Sequence, residues 1–335
     1  MIPNNFIEVR QDEWDSELLW VELELSNICN YKCWYCWPGY NDGSIKWPDY
    51  DLLVENISYL LDYYLKNTNK KKIAIHLLGG EATHWKKFID LCRFFKENYN
   101  SYIVLTTNGT KKLEWWDEAC LYLDNVSISI HHEFVDTYHI CQVADALYEK
   151  EVYVETNVLL DPFKWDKCID IVNQLKDSTY DWSINYREVT HDYRRQYTPE
   201  QDAILFGSSA RPSDRLPKFK VPPLSNYHST TVIDSTGGQH YFKYKDLLYQ
   251  RMIQFKGWEC NVGVDWLAIH ANGEISGICR NGLYEDSVTY NLFDTNFKEI
   301  FSPNIVPTTC VLENCWCIFE VNMPKRKIIP IKEIQ

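Results

Sequence analysis

Between residues 19 and 187 the chain alternates two hydrophobic periods. Short runs with strand-like content, LWVELEL (19–25), KIAIHLL (72–78), YIVLT (102–106), VSISI (126–130), VYVETNVLL (152–160) and WSINY (182–186), are separated by stretches of helical spacing. Leu53, Ile57, Leu60, Leu61 and Tyr64 recur three or four residues apart, as do Trp85, Phe88, Ile89, Cys92 and Phe95. Further helices are expected over 112–121, 134–148 and 164–176. Six strands, each followed by a helix until the last, predict an α/β fold built on a parallel sheet. This length favours a six-stranded partial (β/α)6 barrel over a complete eight-unit one, with its chemistry at the C-terminal ends of the strands.

Beyond 187 the pattern breaks. Residues 188–257 are rich in turn formers, with one helical segment near 244–255, and read as a partly irregular insertion or linker. Arg194, Arg195, Arg211, Arg215, Lys218 and Lys220 make it locally basic, either as a solvated loop or as a substrate or partner contact. From 258 onward, WLAIH and EISGI alternate around Ala-Asn-Gly, a hairpin signal with Cys260 before it and Cys279 at its end. A helix-like stretch and then CVLENCWC follow. The expected organisation is a catalytic-type domain over 14–187, the insertion over 188–257, a hairpin-plus-helix extension over 258–320 and a tail over 321–335.

Composition narrows the possibilities. The chain has 335 residues, 45% hydrophobic and 24% charged, enough to bury a full core. A formal net charge of -13 argues against nucleic acid and anionic membranes as partners, because neutralising phosphates requires a basic face, while a small anionic substrate stays compatible. No stretch approaches the roughly 20 apolar residues of a membrane span, and MIPNNFIEVRQDEWD has neither a basic start nor an apolar h-region, so a cytoplasmic protein is expected. Aromatic residues reach 15%, which suggests aromatic-lined cavities or a sticky surface. Of 12 cysteines, Cys92, Cys120, Cys141 and Cys168 fall singly in expected helices as small hydrophobes. The others group at 29–36 and 260–317, which in a reducing compartment points to metal ligands rather than disulfides.

The first group, CNYKCWYC, lies directly behind the first strand. Cys29, Cys33 and Cys36 can bring three thiolates to one iron-sulfur cube and leave its fourth iron without a protein ligand. A structural zinc ion, the competing reading, would need a distant fourth ligand. Other strand ends are polar as well. The second ends in Gly79-Gly80-Glu81, where glycines allow close backbone approach to a ligand and the carboxylate can receive an ammonium group. The third ends in Thr106-Thr107-Asn108-Gly109, the fourth carries Ser127, Ser129, His131 and His132, and the fifth contains Thr156-Asn157.

CNYKCWYC, GGEAT and TTNGT, in this order and at these strand ends, resemble the radical S-adenosylmethionine (radical SAM) superfamily over residues 19–187. The resemblance implies that Cys29, Cys33 and Cys36 bind a 4Fe-4S cluster whose open iron is chelated by S-adenosylmethionine. Reductive cleavage would then yield methionine and a 5'-deoxyadenosyl radical that removes a substrate hydrogen. It places Tyr35 near the adenine, Gly79, Gly80 and Glu81 at the methionyl amine, and Asn108 among the cofactor-binding residues. Ala82 stands where many members have proline. Ser129 and Asn157 are candidate ribose contacts by position, each equally readable as a packing residue. His131 is either a proton acceptor near the substrate or a hydrogen-bonded structural histidine. An electron donor such as flavodoxin or ferredoxin is implied as a partner.

Cys260 and Cys279, flanking the hairpin, resemble the twitch or SPASM extension of the same superfamily. With Cys310, Cys315 and Cys317 they imply one auxiliary iron-sulfur cluster, of the 4Fe-4S type, with one cysteine spare; structural zinc competes here too. The expected function is oxidative modification of a peptide or small metabolite, with Asp265 as a candidate base. Only 28 residues precede Cys29, fewer than the leader-binding domain of many peptide maturases requires. A non-catalytic iron-sulfur or zinc protein, acting as electron carrier or binding module, is the alternative class, and the GGE and TNG segments argue against it.

Overall fold

The computed structural model of the chain describes residues 5–11, 15–36, 39–176, 183–189, 197–207, 229–243, 247, 252–276, 290–315 and 323–328. In chain order its elements begin with β1 (Phe6–Gln11), β2 (Leu18–Glu24), α1 (Tyr50–Asn67), β3 (Lys72–Leu78), α2 (Phe88–Asn98), β4 (Ser101–Thr107) and α3 (Leu113–Ala119). Then come β5 (Asn125–Ile130), α4 (Thr137–Glu149), β6 (Tyr153–Leu160), α5 (Trp165–Lys176), β7 (Ser183–Glu188) and α6 (Pro199–Gly207). The remainder comprises β8 (Ser229–Asp234), β9 (Gln239–Lys243), β10 (Trp258–Cys260), β11 (Trp266–Ile269), β12 (Glu274–Ser276), β13 (Tyr290–Asn291), α7 (Phe297–Ile300), β14 (Thr308–Thr309) and β15 (Lys325–Lys327). All six expected strands are present within one or two residues of their predicted bounds.

The chain forms two compact units, one of residues 1–22, 52–73 and 223–335, the other of 23–51 and 74–222. In the second unit β3 to β7 lie side by side in chain order, and β4–β5, β5–β6 and β6–β7 pair in parallel. The helix-facing positions of the strands are apolar: Val126, Ile128 and Ile130 of β5 are fully buried, as are Ile103 and Leu105 of β4. The helices answer with Phe88, Leu91, Cys92 and Phe95 of α2, Ile140, Val143, Ala144 and Leu147 of α4, and Cys168, Ile171, Val172 and Leu175 of α5. Cys92 and Cys168 are thus the core hydrophobes expected, whereas Cys120 and Cys141 are half-buried.

The first unit holds a sheet the hydrophobic pattern did not reveal, six antiparallel strands in the order β14-β10-β15-β1-β8-β9. Phe6, Val9, Val232, Leu247, Met252, Ile253, Phe255, Trp258 and Cys315 pack into one cluster. The stretch read as partly irregular therefore contains a hairpin, β8–β9. Its turn is held by the Asp234 carboxylate, which accepts from the Thr236 hydroxyl (2.6 Å), His240 Nε2 (2.9 Å) and the N–H groups of Thr236 (2.8 Å) and Gly238 (2.9 Å). Those bonds hold its carboxyl well below the usual carboxylate range, Thr236 contributing most and His240 next. The six basic residues singled out at 194–220 and most of the helical segment near 244–255 lie outside the described residues.

The hairpin expected around Ala-Asn-Gly is also in the first unit, pairing Ala268 with Ser276 and Ile269 with Ile275, and Gly273 takes the left-handed φ of +86° at its turn. In the same unit α1 buries Leu53, Ile57, Leu60, Leu61 and Tyr64. Its Asn56 amide donates to the carbonyls of Leu292 (2.7 Å) and Asp294 (2.9 Å).

Candidate functional site

The cysteine loop is built from its base upward, entirely within the second unit. Buried Asn27 closes it: its amide donates to Gly39 O (2.6 Å) and Asp42 Oδ1 (2.7 Å), and its Oδ1 accepts from Ile45 N (2.8 Å). Ser26 supports the same closure by donating to Ile45 O at 2.8 Å. Gly80 N donates to Ser26 O and Glu81 N to Ile28 O, both at 2.8 Å, so the end of β3 is laced to the segment that launches the cysteines. The close approach these glycines permit is to the chain's own backbone. A Cβ on Gly79 would run into Ser26 O, and one on Gly80 into the Ile28 carbonyl. Gly79 also has φ +136°, a conformation L residues rarely adopt. Gly80→Ala is expected to cost about 1–3 kcal/mol through overpacking and to lower iron uptake, measured by thermal melting and iron content; an unchanged melting temperature would remove this packing role.

Glu81 is the hub of the strand ends. Only 1% exposed, its Oε1 accepts from the Thr83 and Thr107 hydroxyls, each at 2.7 Å, and its Oε2 accepts from Asn108 N at 2.7 Å. Asn108 then reaches the cysteine loop, donating from Nδ2 to Asn30 Oδ1 at 2.8 Å, while Asn30 Nδ2 donates to Thr110 Oγ1 at 3.1 Å. One hydrogen-bonded network therefore fixes three neighbouring segments: the cysteine loop, the end of β3 and the end of β4.

Within the loop, Cys33 Sγ lies 3.3 Å from His131 Nδ1, and the Tyr35 hydroxyl lies 3.1 Å from the same nitrogen. The Tyr35 ring stacks on His131 at 5.8 Å and 8° and on His132 at 5.9 Å and 26°. Burial, with His132 nearby, pushes His131 down to about 4, so it is neutral at physiological pH and its Nδ1 is already engaged. His132 is lowered too, chiefly by burial, with Asp161 at 3.6 Å working the other way. Burial also pushes the Cys33 thiol up to about 12, Glu133 adding to the effect, and raises Cys29.

The Cys29 and Cys33 thiols therefore need a cation to hold them as thiolates. Among the described residues no group of three or more His, Cys, Asp or Glu side chains could hold a single metal ion. The donor set, three cysteines of one braced loop, fits the iron-sulfur group implied by the sequence.

The sheet adds a polar face next to this loop. Ser129, Asn157 and Asn185 are register partners across β5, β6 and β7. Asn157 donates to Ser127 Oγ and accepts from Arg187 Nε, both at 2.6 Å. His76 Nε2 and Thr106 Oγ1 meet at 2.8 Å on β3 and β4. Among the residues of this site, Asn27, Asn185 and Arg187 were missed by sequence reasoning, whereas Ser127 was among the polar residues at the strand ends. Asn27 had no signal beyond its place before the first cysteine, but Asn185 and Arg187 follow from period-2 counting along SINYRE.

In the first unit Cys310 and Cys315 each come within electrostatic reach of Cys260, and burial raises the Cys260 thiol. Cys310 exchanges backbone bonds with Gly257 and Trp258, both at 2.7 Å. Cys279 and Cys317 lie outside the described residues. Asp265, the candidate base, is 3% exposed, its Oδ1 is ion-paired with the fully buried Lys70 ammonium, and its Oδ2 accepts from Asn261 Nδ2 at 2.7 Å.

Parallel strands carry at their C-terminal ends the three-cysteine loop, the glycine-glycine-glutamate corner and the polar face on which the resemblance to the radical SAM superfamily rests. The family model described as "Radical SAM superfamily" matches residues 23–147, so this segment is similar to that superfamily. The chain is 32% identical over 122 residues to GTP 3',8-cyclase of Pasteurella multocida (strain Pm70), covering 35% of each protein. It is 31% identical over 124 residues to the enzyme of the same name from Shewanella denitrificans (strain OS217 / ATCC BAA-1090 / DSM 15013), again covering 35% of each. The chain thus spans about a third of the length of the curated relatives it matches. Among solved structures, one described as "Native anSMEcpe with bound AdoMet" aligns over 86% of this chain and 81% of that one, with a TM-score of 0.52 and 16% identity, a likeness of fold. No helix among the described residues is long and apolar enough to cross a membrane.

Proposed function

We propose that this chain is a radical SAM enzyme that oxidatively modifies a small metabolite or a peptide in the cytoplasm. The carrying observation is the network that fixes Cys29, Cys33 and Cys36 beside the Glu81–Asn108 corner within one unit. Six strands following one another in chain order support a partial barrel opening at these ends. The cluster held by the three cysteines would, when bound, supply the electron that cleaves S-adenosylmethionine to methionine and a hydrogen-abstracting 5'-deoxyadenosyl radical.

The protein's own residues prepare that site. Asn27 and Ser26 fix the base of the loop, and Asn108 and Asn30 fix its flank. Tyr35, whose ring stacks on the His131 and His132 imidazoles, presents an apolar wall for an adenine while His131 orients both Tyr35 and Cys33. Gly79 and Gly80 set the corner against which a methionyl amine would rest, and Ser129 and Asn157 offer hydroxyl and amide groups to a ribose. The AdoMet named in the description of the fold neighbour supports this cofactor, and the GTP 3',8-cyclase relatives favour the small-metabolite arm of the substrate class.

Cys260, Cys310 and Cys315, joined by Cys279 or Cys317, are proposed to hold one auxiliary 4Fe-4S cluster in a twitch- or SPASM-like extension over 258–320. The boundaries 14–187, 188–257 and 321–335 complete the proposed organisation, and a flavodoxin or ferredoxin would supply electrons.

The test is anaerobic reconstitution of the wild type and a Cys29/Cys33/Cys36→Ala variant, with iron, sulfide and zinc counted and 5'-deoxyadenosine assayed. About eight irons should fall to about four, with product lost. Zinc at both sites and no cofactor cleavage would leave a metal-stabilised binding protein.

A further inference from the structure

His131 and Cys33 lie 98 positions apart in the chain, and the fold brings His131 Nδ1 to 3.3 Å from Cys33 Sγ. The imidazole is clamped by rings from both sides of that cysteine. Tyr35 stacks on it at 5.8 Å and 8°, and Tyr31 meets it edge-on at 5.9 Å and 80°, so two tyrosines of the cysteine loop fix the direction in which Nδ1 points. The Tyr35 hydroxyl is the third member of the group. It lies 3.1 Å from the same nitrogen and is hydrogen-bonded to Cys33 as well, which favours the charged sulfur.

The state of the sulfur decides how the protons are arranged. A thiol can donate to Nδ1, but a metal-bound thiolate has no proton and only accepts. A lone pair on Nδ1 would then face the charged sulfur at 3.3 Å, whereas an Nδ1–H would point at it. A metal on Cys33 therefore selects the imidazole tautomer that carries its proton on Nδ1. The Tyr35 hydroxyl, which both donates and accepts, fits the same arrangement.

We infer that His131 is a positioning residue that donates from Nδ1 to the Cys33 thiolate and so raises the reduction potential of the cluster bound there. The inference rests on the proposed cluster at Cys29, Cys33 and Cys36. A donor on a ligand sulfur withdraws charge from the iron and stabilises the reduced, more negative state over the oxidised one. On reduction one electron from a low-potential donor enters the cluster, and the proton stays on Nδ1. Because Tyr31 and Tyr35 hold the ring, the N–H needs no reorientation between the two states. His131, just past the end of β5, thus acts on the cluster through a ligand of the cluster and not through the substrate.

The experiment compares anaerobically reconstituted wild type with His131→Phe, which keeps a flat ring against Tyr35 but has no donor, and with His131→Asn, whose amide can place an N–H where Nδ1 stood. Iron is counted, and the midpoint of the cluster at Cys29, Cys33 and Cys36 is read by potentiometric titration followed by electron paramagnetic resonance. The signal of the Cys29/Cys33/Cys36→Ala variant is subtracted. At a fixed ambient potential the ratio of reduced to oxidised cluster should fall about tenfold in His131→Phe, a midpoint lower by about 59 mV, and stay within about threefold of wild type in His131→Asn. An unchanged midpoint in His131→Phe overturns the inference, and so does an equal fall in both variants, which assigns the effect to lost ring packing. Should His131→Phe take up no iron, electron spin echo spectra of reduced wild type carrying isotopically labelled histidine decide. A histidine nitrogen coupled to the cluster and absent from the triple variant is expected; no such coupling overturns the donor. A wild type with no reducible cluster beyond that of the triple variant overturns the functional reading itself, and this inference with it.

Discussion

Lys70→Met is expected to destabilise the first unit by about 3–5 kcal/mol, because it strands the Asp265 carboxylate in the interior. Lys70 has no exposed side-chain surface, and besides Asp265 its ammonium donates only to Ser16 O, at 2.8 Å, among its described bonds. Asp265→Asn should cost a similar amount from the other side, leaving the ammonium uncompensated. The double variant Lys70→Met/Asp265→Asn buries no lone charge and should recover a large part of the loss, giving a coupling of about 2–3 kcal/mol. Thermal melting checks this, each single variant falling by about 10 °C. The same set decides the role of Asp265. If it were a proton acceptor, Asp265→Asn would lose turnover with its melting temperature unchanged; the ion pair predicts a lower melting temperature and undiminished 5'-deoxyadenosine formation below it.

Asp265 also shows where sequence reading stops. Read from sequence it was a candidate base, because its partner lies 195 positions away and nothing local marks a long-range ion pair. The strands of the second unit were legible for the opposite reason. Each is a continuous run of six to eight residues with one face under helices, so its pattern is dictated by its neighbours in sequence. The antiparallel sheet of the first unit has no such signature. It joins Phe6–Gln11 near the start to Lys325–Lys327 near the end, and strands as short and basic as KRK carry no alternation to count. The β8–β9 hairpin was readable in principle, since TTVI and YFK flank Thr-Gly-Gly, but it sits behind a long turn-rich stretch. At the site, cysteine spacing marked Cys29, Cys33 and Cys36 as candidate ligands, because they fall within one short loop. It did not give Asn27, whose bracing role depends on where the loop returns.

Glu81 separates a role in building the site from one in binding its ligand. Read from sequence, its carboxylate was available to an ammonium group; in the fold, both oxygens are taken by N–H and O–H donors of Thr83, Thr107 and Asn108. Glu81→Gln keeps the shape but replaces one acceptor oxygen with an amide donor. Whichever way the amide turns, it faces a backbone N–H or a pair of hydroxyls, so at least one buried donor is left unsatisfied. The expected loss is about 2–3 kcal/mol, a fall of about 5–10 °C in melting temperature. Because Asn108 links this corner to Asn30, the cysteine loop should loosen as well, and iron retained after desalting should fall in parallel. An ammonium-binding role alone predicts another pattern: Glu81→Gln would melt like the wild type, keep its iron, and lose only affinity for S-adenosylmethionine. The distinction matters for Gly79 and Gly80 too. On the proposed function, with the Glu81 carboxylate committed to the strand ends, recognition of a methionyl amine at this corner would pass to the backbone that the two glycines shape.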